Sequence, residues 1–434
     1  MIPLNEHLEA QHAALPAAIR GQPWRTAAFA RFAERGFPTR REERWRYTDL
    51  KPLLEERFSF QPEAPDAGTR ARVRALLAAR GVELPGPRLV FLDGWLDAEL
   101  SREAPPPGVE IERLADAWDR LPERLEASSS DHVLATLNAA FVEHGVTLKI
   151  ARGARAVDPI QLVFAGSGRS RIAAQPRVFV ELAEGAQATI VQHFLDLDDA
   201  GSAWLNLVTE VKQAAASTLT LYRLQQHGTQ ALHTSLLRAR LARDARLTAG
   251  FVDHGGRLVR NDVDVELAEP GAETDLFGVL LADGKQHVDN HVSVDHAAPR
   301  TTSNEAFRAI IDDRAHGVFS GKVVVRPGAQ KTDARQSSDN LLLSAQAEID
   351  TKPELEIYAD DVKCSHGATV GELDEDHLFY LRSRGLPESA ARALLTFAFA
   401  HAALERIALP ALRERAVREI AGELPEPFFA EIAP

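Results

Sequence analysis

The sequence gathers its reactive side chains into a few short strings. The densest is Asp360-Asp361-Val362-Lys363-Cys364-Ser365-His366-Gly367-Ala368-Thr369. Cys364 and His366 stand two apart, so on an extended chain both point to one side. A thiolate with an imidazole is a soft donor pair that suits iron or zinc. The adjacent Lys363 is placed to lower the thiol pKa. Two donors do not complete a site, because such metals usually take about four. A partner chain would have to supply the rest. A buried cysteine beside a hydrogen-bonded histidine also accounts for the string. A catalytic Cys–His dyad fits less well, since side chains at i and i+2 stand side by side and no orienting Asn or Asp is apparent.

A second string is His287-Val288-Asp289-Asn290-His291, with His296 nearby and His254 one repeat earlier. On a strand, positions 287, 289 and 291 share a face and could hold a metal, or form a polar ladder on the outside of the fold. No second carboxylate cluster or cysteine completes a coordination shell there. The nearest approach to a phosphate cradle is Gly317-Val318-Phe319-Ser320-Gly321-Lys322-Val323. A P-loop needs four residues between its glycines and Ser or Thr after the lysine, so no nucleotide site is expected on this chain.

The elements that must hold these strings change character along the chain. The first third reads as mostly helical: Glu6–Ile19, Arg25–Arg35, Ala71–Arg80 and Asp131–His144, with one short apolar strand at Arg88–Leu92. Lys51-Pro52 reads as a stop. From Val146 the pattern becomes short alternating strands such as Val178–Leu182 and Val263–Leu267. Small or acidic corners recur between them. Ala186, Ala215, Ala245, Ala272, Ala329 and Val362 align with steps of 29, 30, 27, 57 and 33 residues, the fourth about double the others. Strands repeating at about 30 residues without helices point to a β-solenoid, whose rungs bury their inner faces only by stacking. A β-sandwich is the alternative. After Gly371 the chain turns helical again, near Asp374–Ser383, from Pro387 to about Ile407 and from Pro410 to about Gly422. Helices at both ends suit a solenoid, whose open coils need covering against edge-to-edge association. The segment Leu394–Leu404 is apolar almost all round, so it packs on the solenoid end or receives another protein. The expected domains are 1–144, mostly helical; 145–371, the solenoid; and 372–434, helical.

Composition narrows the function. With 434 residues and 45% apolar content, the chain can bury a large core without metal or disulfide staples. Lys and Arg number 50 against 63 Asp and Glu, a net charge of −13. That acid excess disfavours nucleic-acid and anionic-membrane binding. A single cysteine excludes a disulfide scaffold and cannot by itself ligate an iron–sulfur cluster. No basic or apolar leader and no membrane-length apolar run is visible, so a cytoplasmic location is expected.

The motifs themselves resemble a known family. Glu43-Arg44-Trp45-Arg46-Tyr47-Thr48-Asp49-Leu50, Gln336-Ser337-Ser338-Asp339-Asn340-Leu341-Leu342-Leu343-Ser344 and the run from Lys352 to Gly371 are similar to those of the SufB/SufD family of the SUF iron–sulfur cluster assembly system. The resemblance covers essentially the whole chain. SufB-type members carry further cysteines, so one cysteine and a shorter chain resemble the SufD type. The family fold implied is a right-handed parallel β-helix between helical regions. The resemblance implies a non-catalytic scaffold in a complex with a SufB-type paralogue, joined through the β-helix ends, and a SufC-type ATPase docked on roughly Asp374–Leu409. It implies that His366 faces a SufB cysteine where a transient cluster or iron is held. A paralogous edge implies that the chain alone can also pair with itself. Two readings stay open: an adaptor with no metal role, and a β-helix carbohydrate-active enzyme with acid clusters in a groove.

Overall fold

Residues 3–61, 64–82, 84–118, 132–197 and 201–423 are described by a computed structural model. Asp131 and residues 424–434, at the ends of two expected segments, lie outside them. In Thr218-Leu219-Thr220-Leu221, β-branched and aliphatic side chains alternate with the period of a strand. The strand Thr218–His227 accordingly turns Leu219 and Leu221 into a core shared with Leu237 and Ala239 of Leu232–Leu241. Each turn of chain repeats this pattern once in each of two sheets. One sheet runs from Arg88–Leu92 through Ile160–Gly166, Gln187–Asp196, Thr218–His227, Arg246–Gly255, Glu273–Ala282, Thr302–Ile311 and Asp333–Leu342 to Lys363–Gly371. The facing sheet runs from Gly145–Ile150 through Arg177–Leu182, Trp204–Gln213, Leu232–Leu241, Leu258–Leu267, His287–His296 and His316–Val325 to Glu348–Ile357. All these neighbours are parallel. Antiparallel strands, Trp95–Arg102 and Val109–Arg113, finish the two sheets at their early ends. The expected β-solenoid is present, and its sheets reach back to Arg88.

Thr218, Arg246, Glu273, Thr302, Asp333 and Lys363 stack in register, a return every 27–31 residues. The residue before each of them is the true corner: Ser217, Ala245, Ala272, Thr301, Thr332 and Val362, with Ala186 one rung earlier. All but Val362 are fully buried. Two of the expected corners, Ala215 and Ala329, are therefore out of register, and the doubled step concealed Thr301. Small hydroxylated residues replace alanine because their oxygens bond within the turn, Ser217 to the Ala214 carbonyl at 2.7 Å and Thr332 to that of Ala329 at 2.9 Å. The residue before each corner except Val362 is left-handed: Gly185, Ala216, Asp244, Gly271, Arg300 and Lys331 have φ of 55° to 77°.

The described helices do not cap the solenoid ends. They lie along its sides. Phe58, Phe60, Leu134 and Leu137 from the N-terminal region pack on Trp204, Leu232 and Leu258, on the outer face of the second sheet. Pro52 does not stop a helix; it sits in the first turn of Lys51–Leu54, where its missing N–H costs nothing. The helices Glu388–Leu404 and Pro410–Glu423 lie across the outer face of the first sheet, against Tyr222, Phe277, Ile310 and Leu341. The Tyr222 hydroxyl accepts the Ala408 N–H at 2.9 Å, and Arg308 donates to the Phe399 carbonyl at 2.7 Å. Among the described residues, no helix is long and apolar enough to cross a membrane.

Candidate functional site

With the helices on the sides, the last rung is left open. Glu348–Ile357 and Lys363–Gly371 each pair with one neighbour and present a free edge. Their burial differs from every earlier rung: Lys363–Gly371 is exposed except for half-buried Cys364. A Cβ added at Gly367 or Gly371 would touch nothing within 4 Å. Ile357, Tyr358 and Val370 are exposed apolar side chains on or beside these edges. Just beyond, Asp374 caps Glu375–Ser383 by accepting the His377 N–H, and that helix exposes Phe379 (73%) and Tyr380 (56%). An unpaired strand edge with apolar side chains is a template for another strand.

Cys364 and His366 both point into the lumen, as their spacing predicts. Cys364 continues the column Leu219, Leu247, Thr274, Ser303, Ala334. It packs with Leu355 and Val362 against Val323 and Val325. Burial pushes its thiol pKa up, and Asp333 adds to the rise. Lys363, on the opposite face of the strand, does not lower it. His366 ends a different column: Leu221, Ala249, Leu276, Glu305, Gln336, His366. Its imidazole lies at the mouth of the lumen, exposed.

The two residues beneath His366 escaped sequence reasoning. Gln336 Nε2 donates to Glu305 Oε2 at 2.7 Å. Burial, against the opposing Gln336 hydrogen bond, pushes the Glu305 carboxyl up to about 7. Glu305 Oε1 and Gln336 Oε1 are both buried without a partner. A signal existed: Glu305, Gln336 and His366 each stand four residues after a true corner, Thr301, Thr332 and Val362. The misplaced Ala329 and missing Thr301 hid it.

The second histidine string does structural work. Asp289 is fully buried on the outer face and binds Arg260 at 2.5 Å and the Thr48 hydroxyl. Thr48 also meets His287 Nε2 at 2.8 Å. His291 does lie 3.2 Å from Asp289. Arg260 also holds Asp262 and stacks 4.3 Å over Trp45, while Arg44 reaches Asp262 and Asp264. The Glu43–Leu50 string is thus clamped to the second sheet. Despite burial, Arg260 holds the Asp262 and Asp289 carboxyls well below the usual range. His254 belongs to the other sheet, and His296 is held inside the solenoid by Thr301 and Ser303. Among the described residues, no three His, Cys, Asp or Glu side chains form a metal-holding group. The glycine-rich string lies extended in His316–Val325 and makes no phosphate loop.

The fold and the site define a parallel β-solenoid protein with one uncovered end carrying a lumenal histidine. Comparison with known proteins places it further. Residues 164–399 match the family model of the SufBD core domain of SUF system FeS cluster assembly. Residues 12–162 match that of the SufBD N-terminal region. The chain belongs to the SufBD family. It is 31% identical over 398 residues to the iron–sulfur cluster assembly protein SufD of Escherichia coli, covering 90% of each chain. It is 32% identical over 399 residues to a SufBD family iron–sulfur cluster assembly protein of Synechocystis, covering 87% of this chain and 85% of the relative. The chloroplastic protein ABCI7 of Arabidopsis thaliana is 28% identical over 437 residues, covering 98% of this chain and 90% of that one.

Proposed function

We propose that the chain is a SufD-type, non-catalytic scaffold subunit acting in the cytoplasm, and that it contributes His366 to a shared site where an iron–sulfur cluster forms. The observation that carries the reading is the open final rung, whose free edges surround a lumenal histidine. A SufB-type chain continues the sheets there, and its cysteines supply the donors this chain lacks. The transient cluster is cargo passing through the complex. Neutral imidazole is a good iron ligand. The SufC-type ATPase docks on the C-terminal helical region, where Phe379 and Tyr380 are uncovered. The carbohydrate-enzyme reading is disfavoured because Asp262, Asp264 and Asp289, an acid cluster on the outer face of the second sheet, are engaged by Arg44, His132 and Arg260. Co-expression with SufB-type and SufC-type chains tests the reading. The expected result is one complex containing all three proteins, with iron and acid-labile sulfide. A chain that remains apart from both partners would refute it.

A further inference from the structure

One column of the lumen changes chemistry in its last three rungs. The column that ends at His366 holds Leu221, Ala249 and Leu276, then Glu305 and Gln336, which are 0% and 4% exposed. Aliphatic side chains fill this column in the preceding rungs, so packing does not require a carboxyl and an amide here. Burying them is costly unless their hydrogen bonds are met. The facing sheet makes room for them. Val263 and Val292 give way to Gly321 in the next rung, and a Cβ there would fall 2.1 Å from Gln336 Nε2 and 2.8 Å from its Cδ.

We propose that Glu305 and Gln336 are positioning residues for His366, which fix the imidazole nitrogen presented to iron at the open end. This rests on the ligand role proposed for His366. Glu305 Oε2 accepts the Gln336 amide N–H at 2.7 Å, as a carboxylate or as the carbonyl oxygen of the acid, and so holds the amide nitrogen on its side. The amide oxygen is thereby set as an acceptor on the side away from Glu305, and it is buried with no donor. The next residue in the column, one rung of about 4.8 Å further on, is His366. A metal-bound imidazole has one N–H left, and such a group regularly donates to a carbonyl or carboxylate oxygen that sets its tautomer and orientation. Gln336 Oε1 is that acceptor, and Glu305 keeps the amide from turning over. The bond forms when a partner chain covers the rung and holds the imidazole in place.

The test uses the three-protein complex carrying Glu305→Gln, Gln336→Met or Gly321→Ala in this chain, with His366→Ala as the control. Two quantities are read: iron retained against a chelator, and the histidine nitrogen coupling in pulsed EPR of the reduced cluster. Glu305→Gln and Gln336→Met should leave the complex assembled, weaken iron retention about 10–100-fold and shift the nitrogen coupling. Gly321→Ala, which displaces the Gln336 amide without replacing either polar residue, should do the same and guards against a folding failure in the other two. Loss of the cluster in His366→Ala with unchanged retention and coupling in the other variants overturns this inference alone. A normal cluster in His366→Ala overturns both it and the ligand reading.

Discussion

A cysteine two residues from a histidine invites a site made of both, yet the two continue different columns of the lumen. Cys364 ends a column of small and apolar residues and is half-buried against Leu355 and Val362. A lone buried cysteine behaves as a small hydrophobe. Cys364→Ser is therefore expected to cost about 1–2 kcal/mol and to leave bound iron in place, as read by urea unfolding and iron analysis of the complex. An intact fold stripped of iron would make Cys364 a ligand. Glu305 carries a different expectation. Burial raises its carboxyl to about 7 from 4.5. The folded chain then keeps a proton that the unfolded chain releases, so stability falls as pH rises through that window, by up to about 3 kcal/mol. Glu305→Gln should flatten this decline between pH 5 and 8 while weakening iron retention. Parallel stability curves for the two proteins would contradict the assignment.

At the scale of elements, alternation within strands was plain in the sequence, and so was the recurrence of small corners. The register of the corners was not. Alanine at 215 and 329 looked like the repeat, whereas Ser217, Thr301 and Thr332 occupy the position because their hydroxyls close the turn that alanine leaves to the backbone. A composition rule that seeks alanine slips by two or three residues at those rungs. The Glu43–Leu50 string was legible as a motif, but its purpose required the fold: Arg260, buried on the second sheet, is sandwiched between Trp45 and two carboxylates. Removing one partner of a buried, hydrogen-bonded ion pair costs about 3–5 kcal/mol. Arg260→Met should show a loss of that size in urea unfolding, with the N-terminal segment the first region to lose hydrogen-exchange protection. Wild-type stability would mean the clamp is ornamental.

For the whole molecule, the consequence of the architecture is that both helical regions lie on the sides and the final rung stays open. Sequence pattern distinguished a solenoid from a helical repeat, but it could not say which surface the apolar helix covers, because an apolar stripe is the same whether it meets a sheet face or a coil end. Two aromatic residues now have separate tasks. Phe399 packs under Arg308 at 4.9 Å on the sheet face, so Phe399→Asp should destabilise by about 3 kcal/mol. Phe379 is largely exposed, so Phe379→Asp should leave the melting temperature unchanged and weaken binding of the SufC-type ATPase; equal effects on stability from both would remove the distinction. That Cys364 and His366 share a strand face was legible from their spacing, and the role proposed for His366 rests on the motif, whereas the places of Glu305 and Gln336 beneath it needed the register of the rungs. The central claim is that this one imidazole is given to a cluster shared with a partner. Its most direct measurement is iron and acid-labile sulfide in the purified three-protein complex carrying His366→Ala. An intact complex with little or no cluster is the expected result; an intact complex with wild-type iron and sulfide would contradict the ligand role of His366.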